Sequence, residues 1–483
     1  MTIADNRTRW LALYVLCLGS LMIVLDVTIV NVALPSIRQD LGFSETSLAW
    51  GVNAYLLTYG GFLLLGGRLG DLYGHRSLFL AGIALFTLAS LACGLSTTQW
   101  MLVTARTVQG VGGAVASAVS LSLMMTLFTE PAERAKAMGV FGFVAAGGGS
   151  IGVVLGGVLT GLINWHWIFL VNVPIGVLVC VLSLRLLPSE RGQGMSGRLD
   201  VGGAVTVTVA LMLAVYAIVN GNQNGWTSAE TLGLLGGAVA LLALFLVIES
   251  RVPSPLVPLG LFKLRNIRIS NLVGVLWAAS MFAWFFLSAL YLQQVLGYKP
   301  LKVGLAFLPS NLIMGAFSIG LSAKLVMRFG FRKPLAVGLL LASAGLALFA
   351  RAPVDGTFVV DVLPSMILLG VGAGMAFNPV LLAAMSDVEP KDAGLASGLV
   401  NTSFMMGGAL GLAVLASIAA SRTHTLRVGG ASELNALTGG YHLAFLVGAA
   451  FAAAAAVIGG TRLRPAEHPA SETAHGAPVA EIS

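Results

Sequence analysis

Asp26 is a lone carboxylate in the apolar stretch WLALYVLCLGSLMIVLDVTIVNVAL, residues 10–34. The other nineteen of the 20 Asp and Glu residues fall in loops, helix ends or tails. An ionised carboxylate near a bilayer centre costs about 2.5 kcal/mol or more, so such a residue is a functional candidate by default. Low polarity also favours its protonated form. A group that takes up and releases a proton as its surroundings alternate between dry and wet suits a proton-driven cycle. Arg106 is the one basic residue expected inside a span. At 1.5 Å per residue it lies roughly 8 Å from the start of its span near Met101, and Asp26 roughly 10 Å from the end of its own near Ala33. The two charges therefore share a level, where Arg106 can hold Asp26 ionised in one state of the cycle. The plainer alternatives are a structural helix–helix hydrogen bond for Asp26 and snorkelling of Arg106 to an interface. Asn31, Asn53, Tyr55, Gln109, Asn311, Asn378 and Asn401 are further polar groups within spans, suited to orienting a ligand or to bonding between helices.

The elements that must position these groups are transmembrane helices. The chain has 483 residues, 57% hydrophobic and 10% charged, with 60 glycines. Soluble proteins carry roughly 25% charged residues, so a water-soluble fold is excluded. The net charge of +7 is spread over short loops and reads as topology signal, not as a nucleic-acid patch. Cys17, Cys93 and Cys180 sit in apolar runs without ligand spacing and read as packing residues. The first apolar run exceeds a signal-peptide core and holds Asp26, which predicts a retained span.

Apolar windows of roughly 20 residues predict fourteen spans, near 11–34, 48–66, 78–97, 101–126, 137–162, 167–187, 201–220, 231–249, 269–295, 303–324, 334–350, 360–384, 393–419 and 440–460. With the N-terminus cytoplasmic, the inner segments carry 20 Lys and Arg and the outer ones 6. That asymmetry obeys the positive-inside rule and puts both termini in the cytoplasm. The organisation expected is a short N-terminus (1–10), a six-helix bundle (11–187), a segment of two linkers around two inserted helices (188–268), a second six-helix bundle (269–462) and a polar tail (463–483).

An internal repeat supports this division. GGRLGDLYGHR (66–76) after span two aligns with SAKLVMRFGFR (322–332) after span ten, matching Arg68 to Lys324, Gly74 to Gly330 and Arg76 to Arg332. QGVGGA (109–114) in span four aligns with LGVGAG (369–374) in span twelve. Duplicated halves facing each other across a midplane site are a recurrent transporter architecture.

Four motifs in order resemble the major facilitator superfamily, specifically its fourteen-span drug:H+ antiporter branch. They are LDVTIVNVALPSI (25–37), GGRLGDLYGHR, RTVQGVGGA (106–114) and a span-five glycine pattern on Gly139, Gly148, Gly152, Gly156 and Gly157. The family form of the last is G-x8-G-x3-G-P-x2-G-G, and Val153 stands here where it has proline. The resemblance implies an all-α polytopic membrane protein with the major-facilitator fold, two six-helix bundles plus two inserted helices. It implies that Gly67, Arg68, Asp71, Gly74 and Arg76 form a conformational latch, and that the span-five glycines form a seal between halves. Ordinary helix packing is the competing reading of those glycines, and topogenic charge that of the loop. Met327 replaces Asp71 in the second copy, so the latch is expected on one side only.

The function expected is proton-coupled export of small hydrophobic or amphipathic compounds such as antibiotics, with no cofactor and no metal. The partners expected are a small-molecule substrate, protons and the lipid bilayer, without nucleic acid or nucleotide. The Ala- and Gly-rich composition points to a bacterial inner membrane. A carrier of a metabolite or nutrient is the alternative, although such a carrier calls for more polar groups at mid-membrane. Repeated halves speak against a channel. No lysine follows a glycine, so the phosphate-cradling G-x-x-x-x-G-K loop is absent and ATP is not the energy source. Without HExxH or a second buried acid, hydrolytic chemistry is not expected. Trp284, Phe285, Phe286 and Tyr291 in span nine read as lipid-facing, and Trp165 and Trp167 beside His166 as an interfacial belt.

Overall fold

Apolar runs closed by short polar caps fold into helices throughout the computed structural model, which describes residues 6–128, 130–188, 200–253, 255–317, 321–388 and 393–464. The first seven helices are α1 (Asn6–Leu41), α2 (Trp50–Tyr73), α3 (His75–Gly94), α4 (Gln99–Leu127), α5 (Pro131–Leu162), the single turn α6 (Trp167–Leu170) and α7 (Asn172–Leu186). Then come α8 (Val201–Asn224) and α9 (Ala229–Arg251). The last group is α10 (Arg265–Leu290), α11 (Pro300–Ala316), α12 (Ser322–Phe329), α13 (Arg332–Phe349), α14 (Leu363–Met385), α15 (Ala393–Val428) and α16 (Glu433–Arg462). The described residues contain no strand. Thr98, Asp200, Ser228 and Ser432 cap helix starts by accepting backbone N–H bonds, satisfying donors the helix cannot.

Among the described residues twelve helices are long and apolar enough to cross a membrane. The remaining two of the fourteen expected spans fall on α5, of which Ile151–Leu162 is described as apolar helix, and on the 17-residue α11 followed by α12. Several helices outrun their expected apolar windows: α1 reaches Leu41 and α15 reaches Val428.

The repeat is visible in three dimensions. Gly74 and Gly330 both adopt positive φ, 90° and 70°, where a side chain would be strained. The Nη2 groups of Arg76 and Arg332 donate to Leu184 O and Gly460 O, in the last turns of α7 and α16 respectively. The arginines thus fasten the third helix of each half to its last, satisfying orphan carbonyls at a helix end. The glycine motifs also correspond. A β-carbon at Gly112 would lie 2.6 Å from Phe86 N on α3, and one at Gly372 2.6 Å from Ala342 N on α13. Such approaches are open only to glycine.

The halves meet along two seams related by the same repeat, α5 against α11 and α2 against α15. Gly157 lies on the first, its β-position 2.8 Å from Pro300 O, and Gly60 on the second, 3.1 Å from Met405 Cβ. At the end opposite the termini, Gln293 donates to Val32 O at 2.9 Å, and Arg38 and Tyr441 both donate to Gln294 Oε1. Glu45 accepts from Arg427 at 3.0 Å and lies 3.6 Å from Arg38. The halves are closed there. The inserted hairpin sits outside both bundles: α8 packs on α2 and α15, while α9 packs on α8.

Two expectations are corrected. Trp284, Phe285, Phe286 and Tyr291 do not face lipid, because α10 is enclosed by α14, α15 and α16 and all four side chains are buried. Asp26 is also not the sole buried acid: Asp200 and Glu249, at the ends of α8 and α9, are 6% and 3% exposed. Capping and a turn of the linker fold over them, which hydropathy does not register.

Candidate functional site

Asp26, on α1, is fully buried and accepts from three side chains. Arg106 Nη1 on α4 donates to Oδ2 in a close ion pair. Oδ1 accepts from Gln109 Nε2, also on α4, at 2.7 Å and from Asn172 Nδ2 on α7 at 3.2 Å. Arg106 and Gln109 stand one helical turn apart, so one face of α4 presents both. Gln109 Nε2 reaches Ser90 Oγ on α3 at 2.7 Å, and its Oε1 accepts from Arg106 Nη1 at 2.7 Å. Arg106 Nε donates to Gly51 O on α2 at 3.0 Å. The guanidinium lies between aromatic rings, 4.5 Å from the Tyr55 centroid and 5.6 Å from that of Phe169. The network ties α1, α2, α3, α4 and α7 together through one carboxylate.

Each of the three side chains bonded to the carboxylate donates to it. A buried ion pair is held against its desolvation cost only when further hydrogen bonds complete it, as Gln109, Asn172 and Gly51 do here. Protonating Asp26 would remove the counter-charge while Arg106 remains a cation, so uptake of a proton must be accompanied by rearrangement around the guanidinium. Arg106 is 1% exposed and does not snorkel.

The remaining candidates are distributed more widely. Gly148, Gly152 and Gly156 press on α1 and not on the opposite half: their β-positions would lie 3.0 Å from Val24 Cγ1, 3.0 Å from Leu25 O and 2.6 Å from Ile29 O. The motif thus lines the back of the Asp26 turn, and Gly157 alone of these reaches α11. The side-chain surroundings of Gly139 and Asp71 lie outside the described residues. Gly67 has open space at its β-position, and Arg68 is exposed. Asn31 turns back on α1, donating to Val27 O at 3.3 Å. Asn53 and the Tyr55 hydroxyl are buried without hydrogen-bond partners among the described residues, as is Asn311 Nδ2. Asn401 borders an apolar hollow with Trp277, Phe377 and Phe404 in the second half, and Asn378 lies partly buried one residue beyond Phe377. Neither joins the Asp26 network. Trp165 is buried and donates to Asp40 Oδ2 at 2.9 Å, with His166 stacked on it, whereas Trp167 is exposed.

Sequence reasoning missed Ser90, Asn172 and the Gly51 carbonyl. Asn172 carried a signal, as a lone amide at the start of an apolar span. A serine and a backbone carbonyl carry none.

A sequence profile described as the Major Facilitator Superfamily matches residues 16–412. The chain belongs to the major facilitator superfamily. Among curated relatives, the puromycin resistance protein pur8 of Streptomyces alboniger is 40% identical over 86% of this chain and 82% of its own length. The cephamycin export protein CmcT of Amycolatopsis lactamdurans is 40% identical over 87% of each chain. Among solved structures, an inward-facing, occupied bacterial homologue of the human lysosomal transporter Spinster superposes with a TM-score of 0.68 at 16% identity, covering 94% of this chain and 97% of that one. The xylose transporter XylE from E. coli, inward open, gives 0.63 at 15% identity, covering 95% and 97%. These last two show the major-facilitator fold.

Proposed function

We propose that this major-facilitator protein is a proton-coupled exporter of small hydrophobic or amphipathic compounds, antibiotics among them. The relatives named for puromycin resistance and cephamycin export support the substrate class. The single observation carrying the coupling is the fully buried carboxylate of Asp26 with its buried cation and two amide donors. In the closed state Arg106 holds Asp26 ionised. Opening towards the side of higher proton activity lets a proton reach Asp26, weakens the tie between α1 and α4, and frees α1 to shift on the glycine face of α5. Gly157 passes that shift to α11 in the opposite half. Substrate occupies the cavity that the halves expose in turn, and both termini lie in the cytoplasm, as the Lys and Arg asymmetry supports.

One proton moved through Asp26 per turnover is worth roughly 2.3 kcal/mol, or about fiftyfold accumulation, per 100 mV. Asp26→Asn matches the side chain in size and removes the titration, at the stability cost of leaving Arg106 without its counter-charge. In proteoliposomes with an imposed pH gradient, this variant is expected to lose substrate accumulation while still inserting and exchanging substrate down its own gradient. Accumulation at the wild-type level by Asp26→Asn would rule the proposal out, and transport by the wild type indifferent to the pH gradient would indicate a facilitative carrier.

A further inference from the structure

The inserted hairpin brings two carboxylates together where α8 begins and α9 ends, outside the Asp26 site. Asp200 caps α8 through Oδ1, which accepts the Gly203 N–H at 2.7 Å. Glu249, two residues before the end of α9, accepts the Val257 N–H through Oε2 at 3.0 Å. Each acid therefore spends one oxygen on the backbone. The other oxygens, Asp200 Oδ2 and Glu249 Oε1, are buried without a hydrogen-bond partner among the described residues. Both converge on one glycine: a β-carbon at Gly203 would lie 2.5 Å from Asp200 Oδ2 and 2.8 Å from Glu249 Oε1. Gly203 is what allows the two oxygens to close on each other.

Among the described residues the surroundings offer the pair no counter-charge. Leu65 of α2, Ala204 and Leu256 form one apolar cluster beside the pair. Phe245, Val257, Ile267, Ala396 and Leu399 form another. On the elements packed there, Arg68 of α2, Arg251 of α9, Lys263 of the turn Leu259–Lys263, and Arg268 of α10 are exposed, and Arg265 donates to Arg462 O. The ionisable side chains of α15, namely Arg422, His424 and Arg427, lie towards its other end. Among the described residues none makes an ion pair with Asp200 or Glu249. Two buried carboxylates that converge on one glycine repel each other when both are ionised, and a pair of this kind keeps one proton between its oxygens.

We propose that Asp200 and Glu249 are a second proton-binding site, in which one proton is shared between Asp200 Oδ2 and Glu249 Oε1. The shared proton closes the hairpin at its base. Through Val257 it also fastens α9 to the linker that leads into α10, at the point where the hairpin meets α2 of the first half. Loss of the proton leaves two like charges in contact and releases that joint. The titration belongs to the pair and not to either residue.

Infrared spectroscopy of the full-length protein in lipid nanodiscs tests this directly, because a protonated carboxyl absorbs apart from a carboxylate. At neutral pH a protonated-carboxyl band is expected in the wild type and in Asp26→Asn. It should be lost in Glu249→Gln and in Asp200→Asn, the latter keeping a cap-competent side chain. The native pair holds a proton that the unfolded chain has released at neutral pH, so wild-type thermal stability should fall as pH rises. Glu249→Gln, whose amide donates permanently, should lose that dependence. Absence of the band from Asp26→Asn at neutral pH would overturn the proposal, by showing both acids ionised against a basic side chain. So would a wild-type band abolished by sodium or potassium ions at constant pH, which would mark a cation site.

Discussion

Asp26 and Arg106 are each other's justification at the level of single residues. Removing one partner of a buried pair leaves an uncompensated charge, whereas removing both leaves only polar or apolar groups. Arg106→Ala is therefore expected to destabilise the protein by about 3–5 kcal/mol. The double variant Asp26→Asn, Arg106→Gln should recover a large part of that loss, read by thermal unfolding in detergent with size-exclusion detection. Asn172 makes the longest of the three bonds to the carboxylate. Asn172→Ala should cost about 1 kcal/mol and shift the pH profile of transport without abolishing it. Had Asn172 served packing alone, stability would fall and the profile would stay in place.

Between elements, glycine decides how closely helices approach. Gly148, Gly152 and Gly156 recur every four residues and let α5 lie directly on α1 around Asp26. The second half repeats the device: Gly407 and Gly411 of α15 lie against Val275 and Ala279 of α10. No acid accompanies the second copy, and by the register of the span-four motif Met366 stands where the first half has Arg106. The buried Asp26–Arg106 pair thus has no counterpart at the matching positions of the second half. Gly156→Val should force α5 away from the Ile29 carbonyl, costing about 1–3 kcal/mol and stopping transport. Gly236→Ala on α9, where nothing approaches within 4 Å, should leave both unchanged. Equal damage from the two substitutions, compared by export rate and melting temperature, would argue against a role for close approach.

Across the whole molecule, the closed end opposite the termini is held by polar contacts of low burial, suited to being broken and remade in a transport cycle. Glu45 bridges Arg38 of the first half to Arg427 of the second, and Gln294 adds bonds from Arg38 and Tyr441. Exposed pairs contribute only about 0–1 kcal/mol each, so the closure is weak enough to open. A cysteine pair at Arg38 and Gln294, in a background without Cys17, Cys93 and Cys180, is expected to be bridged by a bifunctional methanethiosulfonate reagent that spans the two long side chains, arresting export until reduced. Undiminished export by the cross-linked protein would mean that this end does not open during transport.

Composition, apolar run length and the Lys and Arg asymmetry already specified a polytopic helical membrane protein with duplicated halves, because in hydrocarbon a chain must satisfy its backbone within helices. Asp26 and Arg106 were legible for the same reason: a charge inside a span stands out against apolar neighbours. Which partners complete the pair was not legible, since Ser90, Asn172 and the Gly51 carbonyl converge from α3, α7 and α2, far apart in sequence. The direction of the α5 glycine face, towards α1, was equally hidden, because helical periodicity fixes a stripe and not the neighbour it meets. The burial of Asp200 and Glu249 came only with the tertiary structure. A helix end reads as solvated until another segment folds over it.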